Sequence, residues 1–264
     1  GSRIIRVSSE KDPSDLLWSD VDVALECTGF FTERESAAHH LKNGSKRVLV
    51  SAPSSGADKT VVFGVNDDLL TSEHLIVSNA SCTTNCLAPI AKVLHDSFRI
   101  KTGYMTTIHS YTGDQPSLDT MHKDLYRGRS AALSMIPTST GAARAVSSVL
   151  PELEGRLDGS AIRVPTPNVS CVDLKFVLEN PASADEINTK MKEASEGRLK
   201  GVLGFETRPL VSVDFNHWPT SSTLASQETK VLPSGMGRIL SWYDNEWGFS
   251  HRMADTAVKM GSLL

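Results

Sequence analysis

The stretch that decides the fold is Ser78-Asn79-Ala80-Ser81-Cys82-Thr83-Thr84-Asn85-Cys86-Leu87-Ala88-Pro89, which follows the apolar run His74-Leu75-Ile76-Val77. Apolar residues then recur at positions 87, 90, 91, 94 and 98, the spacing of an amphipathic helix. The pattern predicts a short buried strand and then a helix, with Cys82 at or near the helix N-terminus. Unpaired N–H groups and the positive end of the helix dipole favour the thiolate there, and the thiolate is the reactive form. The stretch therefore predicts a nucleophilic cysteine.

Upstream of this stretch, short strand-like runs alternate with a helical run. The predicted strands are Arg3–Val7, Val21–Glu26, Arg47–Ala52, Thr60–Gly64 and His74–Ser78, and the predicted helix is Glu33–Lys42. This rhythm is typical of a doubly wound, Rossmann-like parallel sheet. Ligands of such sheets lie beyond the carboxyl ends of the strands, so the turns that begin at Thr28 and Ser51 are candidate cofactor contacts, with an ordinary loop as the alternative.

Downstream, the predicted strands are longer and alternate more openly between apolar and polar residues. They are Thr102–His109, Ala161–Arg163, Val169–Val177, Val211–Phe215 and Gly237–Trp242, and the predicted helices follow Gly141 and cover Ala184–Glu196 and Asn245–Met260. This pattern predicts a mixed or antiparallel sheet with helices on one face. The fold class is therefore α/β plus α+β, a truncated Rossmann-like sheet followed by a second, mixed-sheet domain.

Composition narrows the functional classes. The chain has 264 residues, 39% of them hydrophobic, and a net charge of −4 without a basic block, so neither nucleic-acid nor membrane-surface binding is expected. No apolar run approaches the roughly 18 residues of a membrane span and no N-terminal signal is visible, which predicts a cytoplasmic protein.

Four cysteines, Cys27, Cys82, Cys86 and Cys171, are interpreted as reduced thiols. No metal is expected, because no second pair of ligands accompanies Cys82 and Cys86. Cys27 and Cys171 lie in apolar surroundings and are predicted to be buried.

His109 ends the first strand after the cysteine helix, a suitable position for a base. An isolated histidine is more often structural than catalytic, and seven other histidines lack this context. A cysteine–histidine pair shares its proton, so a thiolate can exist near neutrality and an imidazolium can stabilise developing oxyanion charge.

Motifs spread over the whole chain give a specific resemblance. They are 78–89, Glu26-Cys27-Thr28-Gly29-Phe30-Phe31, the seven residues 109–115, the seven residues 137–143, the eight residues 163–170 and Trp242-Tyr243-Asp244-Asn245-Glu246-Trp247-Gly248. In these motifs the chain resembles the phosphorylating glyceraldehyde-3-phosphate dehydrogenases.

The resemblance implies an NAD-dependent oxidoreductase of glycolysis or gluconeogenesis that forms a thioester on Cys82, with His109 as the base. It also implies a small phosphorylated aldehyde as substrate, inorganic phosphate as co-substrate and a homotetramer. The last helix of the family returns to the cofactor domain, which implies an NAD domain of residues 1–81 and 246–264 and a catalytic domain of residues 82–245.

Two anion sites and part of a cofactor site are implied residue by residue. Thr112 and Arg163 match contacts to the substrate phosphate, and Arg127 matches either phosphate site. The contacts to the attacking phosphate match Ser81, Thr83, Thr140 and Gly141. Asn245 matches a nicotinamide contact, and Phe249 stands where many members carry tyrosine. Helix capping is the alternative for Ser81, Thr140 and Asn245, and a surface or subunit salt bridge is the alternative for Arg127.

One departure from the family lies at the beginning of the chain. No Gly-x-Gly-x-x-Gly turn precedes residue 3, and two βαβ steps, roughly 70 residues, are missing from the pattern. We therefore expect a chain without the N-terminal glycine-rich part, weak cofactor binding and little turnover, with the choice between NAD and NADP open.

Two alternative functions also remain open. The segment from Pro209 to His217 resembles the sister enzyme that acts on erythrose 4-phosphate, although 111–114 and 139–143 favour the glyceraldehyde branch. A non-catalytic chain kept for binding or assembly is the other alternative.

Overall fold

A computed structural model of the chain describes residues 4–264. Its contacts divide these residues into two compact units. The first unit contains residues 4–61, Leu69–Ala80 and Met253–Leu264, and the second contains Val62–Asp68 and Ser81–Arg252.

The first unit is built on a parallel four-stranded sheet with the order β1-β2-β4-β3. Its strands are β1 (Val23–Glu26), β2 (Arg47–Val50), β3 (Lys59–Thr60) and β4 (Ile76–Ser78). Val48, Val50 and Ile76 pack with Ala37 of a helix into a core that excludes water. The parallel sheet predicted for this part of the chain is confirmed.

Three details of this unit differ from the prediction. Residues 4–7 form no strand, and Ile4 and Ile5 are exposed because no strand within residues 4–264 pairs with them; Arg3 lies outside the described residues. The predicted helix Glu33–Lys42 is two four-residue helices, α1 (Arg34–Ala37) and α2 (His39–Lys42), which meet at Ala38. Of the strand predicted from Thr60 to Gly64, only Thr60 lies in a strand, β3, and residues 61–64 do not.

The second unit is built on a larger, mixed sheet. Its strands are β5 (Ile100–Ser110), β6 (Ile136–Thr138), β7 (Leu157–Val164), β8 (Ser170–Leu178), β9 (Leu203–Glu206), β10 (Ser222–Ala225), β11 (Lys230–Val231) and β12 (Met236–Tyr243). The order is β6-β7-β5-β8-β12-β10-β9, with β11 paired to β12. The pairs β5–β7 and β9–β10 are parallel and the others are antiparallel, so the predicted mixed sheet is confirmed.

The helix α3 (Cys82–Phe98) is the central helix of the second unit, and it begins where the sequence predicts. Leu87, Ile90 and Leu94 are fully buried, and α3 packs on β5, β8, β10 and β12. The other helices are α4 (Ala142–Ala145), α5 (Ala184–Glu196) and α6 (Trp247–Gly261). The predicted strand Val211–Phe215 is wrong: Ser212–Phe215 is a 3-10 helix, because the Asp214 carboxylate accepts the Val211 N–H and closes a turn.

Candidate active site

Cys82 is the first residue of α3, and the chain approaches it through a strained backbone. Ala80 has φ +57°, a left-handed conformation that costs free energy for a residue with a side chain. Ser81 then caps the helix, because its Oγ accepts the Thr84 N–H at 3.0 Å. Cys82 is partly exposed. The sequence therefore places a thiol, with a fixed backbone, at the start of a long buried helix.

His109 lies one residue before the end of β5 and faces this thiol. Its Nε2 is 3.5 Å from Cys82 Sγ, and its Nδ1 is 2.7 Å from the carbonyl oxygen of Ser110. Because a carbonyl oxygen only accepts, Nδ1 carries the proton of the neutral ring and Nε2 is left as the acceptor that faces sulfur. The Tyr243 ring packs edge-on against the imidazole, with centroids 5.9 Å apart. The geometry is that of a thiol with a base oriented towards it.

The protonation state of this pair differs from the sequence-based expectation. Burial raises the pKa of the Cys82 thiol above its ordinary value, although the Arg163 charge and hydrogen bonds from Thr83 oppose the rise. Burial, and then the Arg163 charge, lower the pKa of His109 to about 4. Desolvation penalises the charged form of both groups, so the resting pair is a thiol and a neutral imidazole, and the proton moves when sulfur attacks.

The other three thiols differ from Cys82 in their burial. Burial raises the pKa of Cys86 and of Cys171 to about 12, so both are unreactive near neutrality. Cys27 is exposed, and the prediction that it is buried is wrong. Its neighbour Glu26 is the inward-facing residue, because side chains alternate along β1, and Cys27 follows on the outward side.

Four side chains of the second unit form what we call the anion cluster: Thr112, Asp114, Arg127 and Arg163. Arg163 Nη1 donates to Thr112 Oγ1 at 2.8 Å and to the Ser110 carbonyl at 3.0 Å. The Thr112 hydroxyl donates to one Asp114 carboxylate oxygen, and Arg127 Nη1 donates to the other at 2.5 Å. The structure thus brings together three of the seven residues that the resemblance assigns to phosphate contacts and adds a carboxylate to them.

The remaining residues implied for the attacking phosphate lie at helix starts of the second unit. Thr140 Oγ1 accepts the Ala142 N–H at 3.2 Å, and Gly141 is the N-cap of α4. The Thr83 hydroxyl is buried and bonded to Tyr243 OH at 2.9 Å, and hydrogen bonds from Thr83 favour the Cys82 thiolate. Ser81 Oγ is the N-cap acceptor of α3, whereas Thr140 precedes the N-cap of α4.

Asn245 and Phe249 are the implied cofactor contacts of the second unit. Asn245 is buried, and its Oδ1 accepts hydroxyl protons from Ser110 and Ser170, both at 2.8 Å. Two donors to one oxygen fix the amide orientation, so the Nδ2 group is left with one long contact of 3.4 Å to Glu246. A buried amide N–H with spare donor capacity fits the carboxamide oxygen of a nicotinamide. Phe249 lies in the first turn of α6 and is partly exposed.

Thr28 and Ser51 belong to the first unit, at the carboxyl ends of β1 and β2. Both the N–H and the hydroxyl of Thr28 donate to the buried Glu26 carboxylate, whose other oxygen is 2.8 Å from His40 Nε2. Thr28 Oγ1 in turn accepts the N–H of Phe30, whose side chain is 85% exposed. The turn after β1 is therefore held in shape by a carboxylate beneath it, with an aromatic ring left open to a ligand.

Sequence reasoning missed several residues that shape the site. Asp114 and Tyr243 occur in the quoted motifs, but a carboxylate between two arginines is recognisable only after folding. The Tyr243 hydroxyl joins Thr83 Oγ1 to Thr107 Oγ1, at 2.9 and 2.8 Å. The sequence around Thr107 gave no signal for this contact, because several polar residues occur along β5. Among residues 4–264 no cluster of three or more His, Cys, Asp or Glu is arranged as metal ligands, and no helix there is long and apolar enough to cross a membrane.

The Cys82 thiol and its oriented base define a thiol-dependent enzyme. Comparison with known proteins gives the family. Residues 81–245 match the family described as glyceraldehyde 3-phosphate dehydrogenase, C-terminal domain. The glyceraldehyde-3-phosphate dehydrogenase of Cereibacter sphaeroides is 66% identical over 260 residues, which are 98% of this chain and 78% of the relative.

Two further relatives agree. The glyceraldehyde-3-phosphate dehydrogenase of Xanthobacter flavus is 64% identical over 98% of this chain and 78% of its own length. Glyceraldehyde-3-phosphate dehydrogenase 1 of Bacillus subtilis is 55% identical over 97% of this chain and 77% of its own length. The chain belongs to the glyceraldehyde-3-phosphate dehydrogenase family, and the resemblance found in the sequence is confirmed. Membership implies an NAD-type cofactor.

Proposed function

We propose that this chain carries out the NAD-dependent oxidation of glyceraldehyde 3-phosphate, with inorganic phosphate as the second substrate and 1,3-bisphosphoglycerate as the product. One observation carries the proposal: Cys82 Sγ lies 3.5 Å from His109 Nε2, whose role as acceptor is fixed by the Ser110 carbonyl. Only a neutral acceptor nitrogen can take the thiol proton. Family membership supplies the substrate class, a small phosphorylated aldehyde, for which this pair is suited.

In the first stage, the sulfur of Cys82 bonds to the aldehyde carbon while its proton moves to His109 Nε2 and on to the carbonyl oxygen. The product is a thiohemiacetal. His109 Nε2 then takes the hydroxyl proton as the carbon loses a hydride, which leaves a thioester on Cys82. NAD, when bound, supplies the hydride acceptor. The Asn245 Nδ2 group would hold its carboxamide, and Thr28, Ser51 and Phe249 are the other proposed cofactor contacts.

In the second stage, an oxygen of inorganic phosphate attacks the thioester carbon and the Cys82 thiolate leaves. The attacking phosphate is a dianion, so it needs N–H and hydroxyl donors near the sulfur. The starts of α3 and α4 offer such donors at Ser81, Thr83, Thr140 and Gly141. The guanidinium of Arg163 favours the leaving thiolate, because its charge lowers the pKa of Cys82.

Self-association of this chain into a homotetramer is part of the proposal. Support comes from the segment 117–135 of the second unit, in which large apolar side chains stand in water: Leu118, Met121, Leu125, Leu133 and Met135. A concentration of large exposed apolar side chains in one segment indicates a candidate interface between proteins. Sedimentation velocity tests this part of the proposal, and a monomer at micromolar concentration would contradict it.

The catalytic proposal is tested by following NADH formation with glyceraldehyde 3-phosphate, NAD and inorganic phosphate, each omitted in turn. We expect NADH formation to require all three and to be abolished in Cys82→Ser. In a Cys27→Ser background, which removes the exposed thiol, iodoacetamide should label Cys82 and leave the buried Cys86 and Cys171 unlabelled. Equal rates with and without phosphate, or equal labelling of these three thiols, would contradict the proposal. Erythrose 4-phosphate in the same assay tests the sister activity.

A further inference from the structure

The anion cluster contains its own anion. Both carboxylate oxygens of Asp114 are engaged, one by the Thr112 hydroxyl and one by Arg127 Nη1 at 2.5 Å. Arg127 Nε also donates to Thr138 Oγ1 at 3.1 Å, and Arg163 Nη1 donates to Thr112 Oγ1. The carboxylate therefore uses donors of the kind that a phosphate group would use, one hydroxyl and one guanidinium N–H.

The carboxylate is placed where it can leave. The Asp114 side chain is 51% exposed, whereas that of Arg127 is 24% exposed. Asp114 lies in the turn Thr112–Gln115, in which the Gln115 N–H donates to the Thr112 carbonyl at 2.9 Å. Gly113, its neighbour, has open space where a side chain would stand. The arginine is thus held by the fold, while the carboxylate stands on a turn that faces solvent.

The cluster also keeps unused donor capacity. Arg163 Nε is buried and has no acceptor among residues 4–264. A buried donor without an acceptor is costly and points to a ligand. In charge terms, two guanidinium groups face one carboxylate, so the cluster retains one excess positive charge with Asp114 in place and two once it has moved away.

We propose that Asp114 is an internal counter-anion that occupies the position of the substrate phosphate, so that a phosphorylated ligand must displace it from Arg127 and Thr112. Asp114 then sets the affinity for the phosphate group and acts as a specificity-determining residue. A dianionic phosphate can displace a carboxylate from these donors, and a neutral aldehyde cannot. This inference rests on the proposed function, since it assigns the displaced position to the phosphate of that substrate.

The test is calorimetry with glycerol 3-phosphate, which carries the phosphate but no aldehyde. Asp114→Asn keeps an acceptor for the Thr112 hydroxyl and removes the charge, and its dissociation constant should fall about tenfold, equivalent to about 1.4 kcal/mol. Asp119→Asn is the matched control, because Asp119 pairs with Arg129 at 3.0 Å on the same segment outside the cluster, and it should bind within about twofold of the wild type. Unchanged or weaker binding by Asp114→Asn would overturn the inference and make Asp114 a positioning residue for Arg127.

A second variant tests displacement directly. In Asp114→Ala, added acetate supplies the missing carboxylate and should weaken glycerol 3-phosphate binding towards the wild-type value, while acetate has little effect on the wild type. Absence of that rescue would also overturn the inference. Neither measurement needs turnover. NADH formation without tighter binding in Asp114→Asn removes the inference alone, whereas tighter binding without NADH formation in the wild type removes the proposed function alone.

Discussion

The Cys82–His109 pair and the anion cluster lie in one unit but are built differently. The pair stands at the start of α3 and near the end of β5, and a backbone carbonyl fixes the imidazole. The anion cluster takes Thr112, Asp114 and Arg127 from the irregular segment between β5 and β6, and Asp114 is half exposed. Chemistry at sulfur needs fixed geometry, whereas anion recognition tolerates donors that rearrange. The comparison predicts all-or-none effects at the pair and graded effects at the cluster.

The largest effect is expected at the thiol. Cys82→Ser should lower kcat by roughly 10⁴-fold or more, and His109→Asn by roughly 10²- to 10⁴-fold, because nucleophile and base act as a unit. NADH formation measures both. Cys27→Ser, a change at an exposed thiol, is the matched control and should retain wild-type activity. A kcat above a tenth of the wild-type value in Cys82→Ser would contradict the all-or-none effect expected at the Cys82–His109 pair.

A pH-dependent loss of stability is expected from the same buried pair. The pKa of His109 is lowered from its ordinary value of 6.5 to about 4, so below pH 6.5 the unfolded chain binds a proton that the folded chain does not. Above pH 6.5 this proton uptake does not reduce the free energy of unfolding. As the pH is lowered below 6.5 the free energy of unfolding decreases, by about 3 kcal/mol at pH 4. Urea unfolding of the wild type and His109→Asn between pH 7 and 4 measures the difference. Parallel pH curves for the two proteins would show that His109 is not buried as a neutral ring.

At the cluster, Arg163→Gln should raise KM for glyceraldehyde 3-phosphate by roughly 10- to 100-fold, the value of a hydrogen bond to a charged group. It should also slow iodoacetamide alkylation of Cys82, because the Arg163 charge lowers the pKa of that thiol. Arg129→Gln, at an exposed ion pair, is the control and should change neither quantity. Faster alkylation in Arg163→Gln would show that the anion cluster does not favour the Cys82 thiolate.

The smallest effect is expected at the helix caps. Ser81→Ala and Ser183→Ala each remove a capping hydroxyl, from α3 and α5, and each should lower the free energy of unfolding by about 1 kcal/mol. Only Ser81→Ala should also raise KM for inorganic phosphate, measured by NADH formation. If the two variants affect stability alone, Ser81 is a cap and not a phosphate contact.

Much of the fold could be read from residue patterns. Long periodic segments such as α3, and strands such as β5 and β8 with their alternating burial, appear where the sequence predicts them. The errors fall on short segments. A hydrogen bond to Asp214 closes a 3-10 turn in an apolar run, and the predicted helix Glu33–Lys42 is interrupted at Ala38. Ile4, Ile5 and Val7 match a strand pattern, but a strand forms only where a neighbouring strand pairs with it.

The residue types of the site could be predicted from the sequence, but their protonation states could not. Cys82 and His109 follow from their places at the ends of regular elements, and their distance agrees with that placement. Their protonation was mispredicted, because desolvation depends on the surrounding core and outweighs the helix terminus. The role of Asp114 could not be read either, since Arg127 and Arg163 meet it only through the fold.

The Ser110 carbonyl accepts both the His109 Nδ1 proton and a proton of Arg163 Nη1. This acceptor belongs to the main chain, so no side-chain replacement deletes it, and a mutational scan of position 110 would report only on the hydroxyl that contacts Asn245. Side-chain mutagenesis therefore cannot test the carbonyl oxygen that links the His109 tautomer to Arg163. This carbonyl is accessible to spectroscopy: a carbonyl-13C label at Ser110 would report a change at either donor through one resonance.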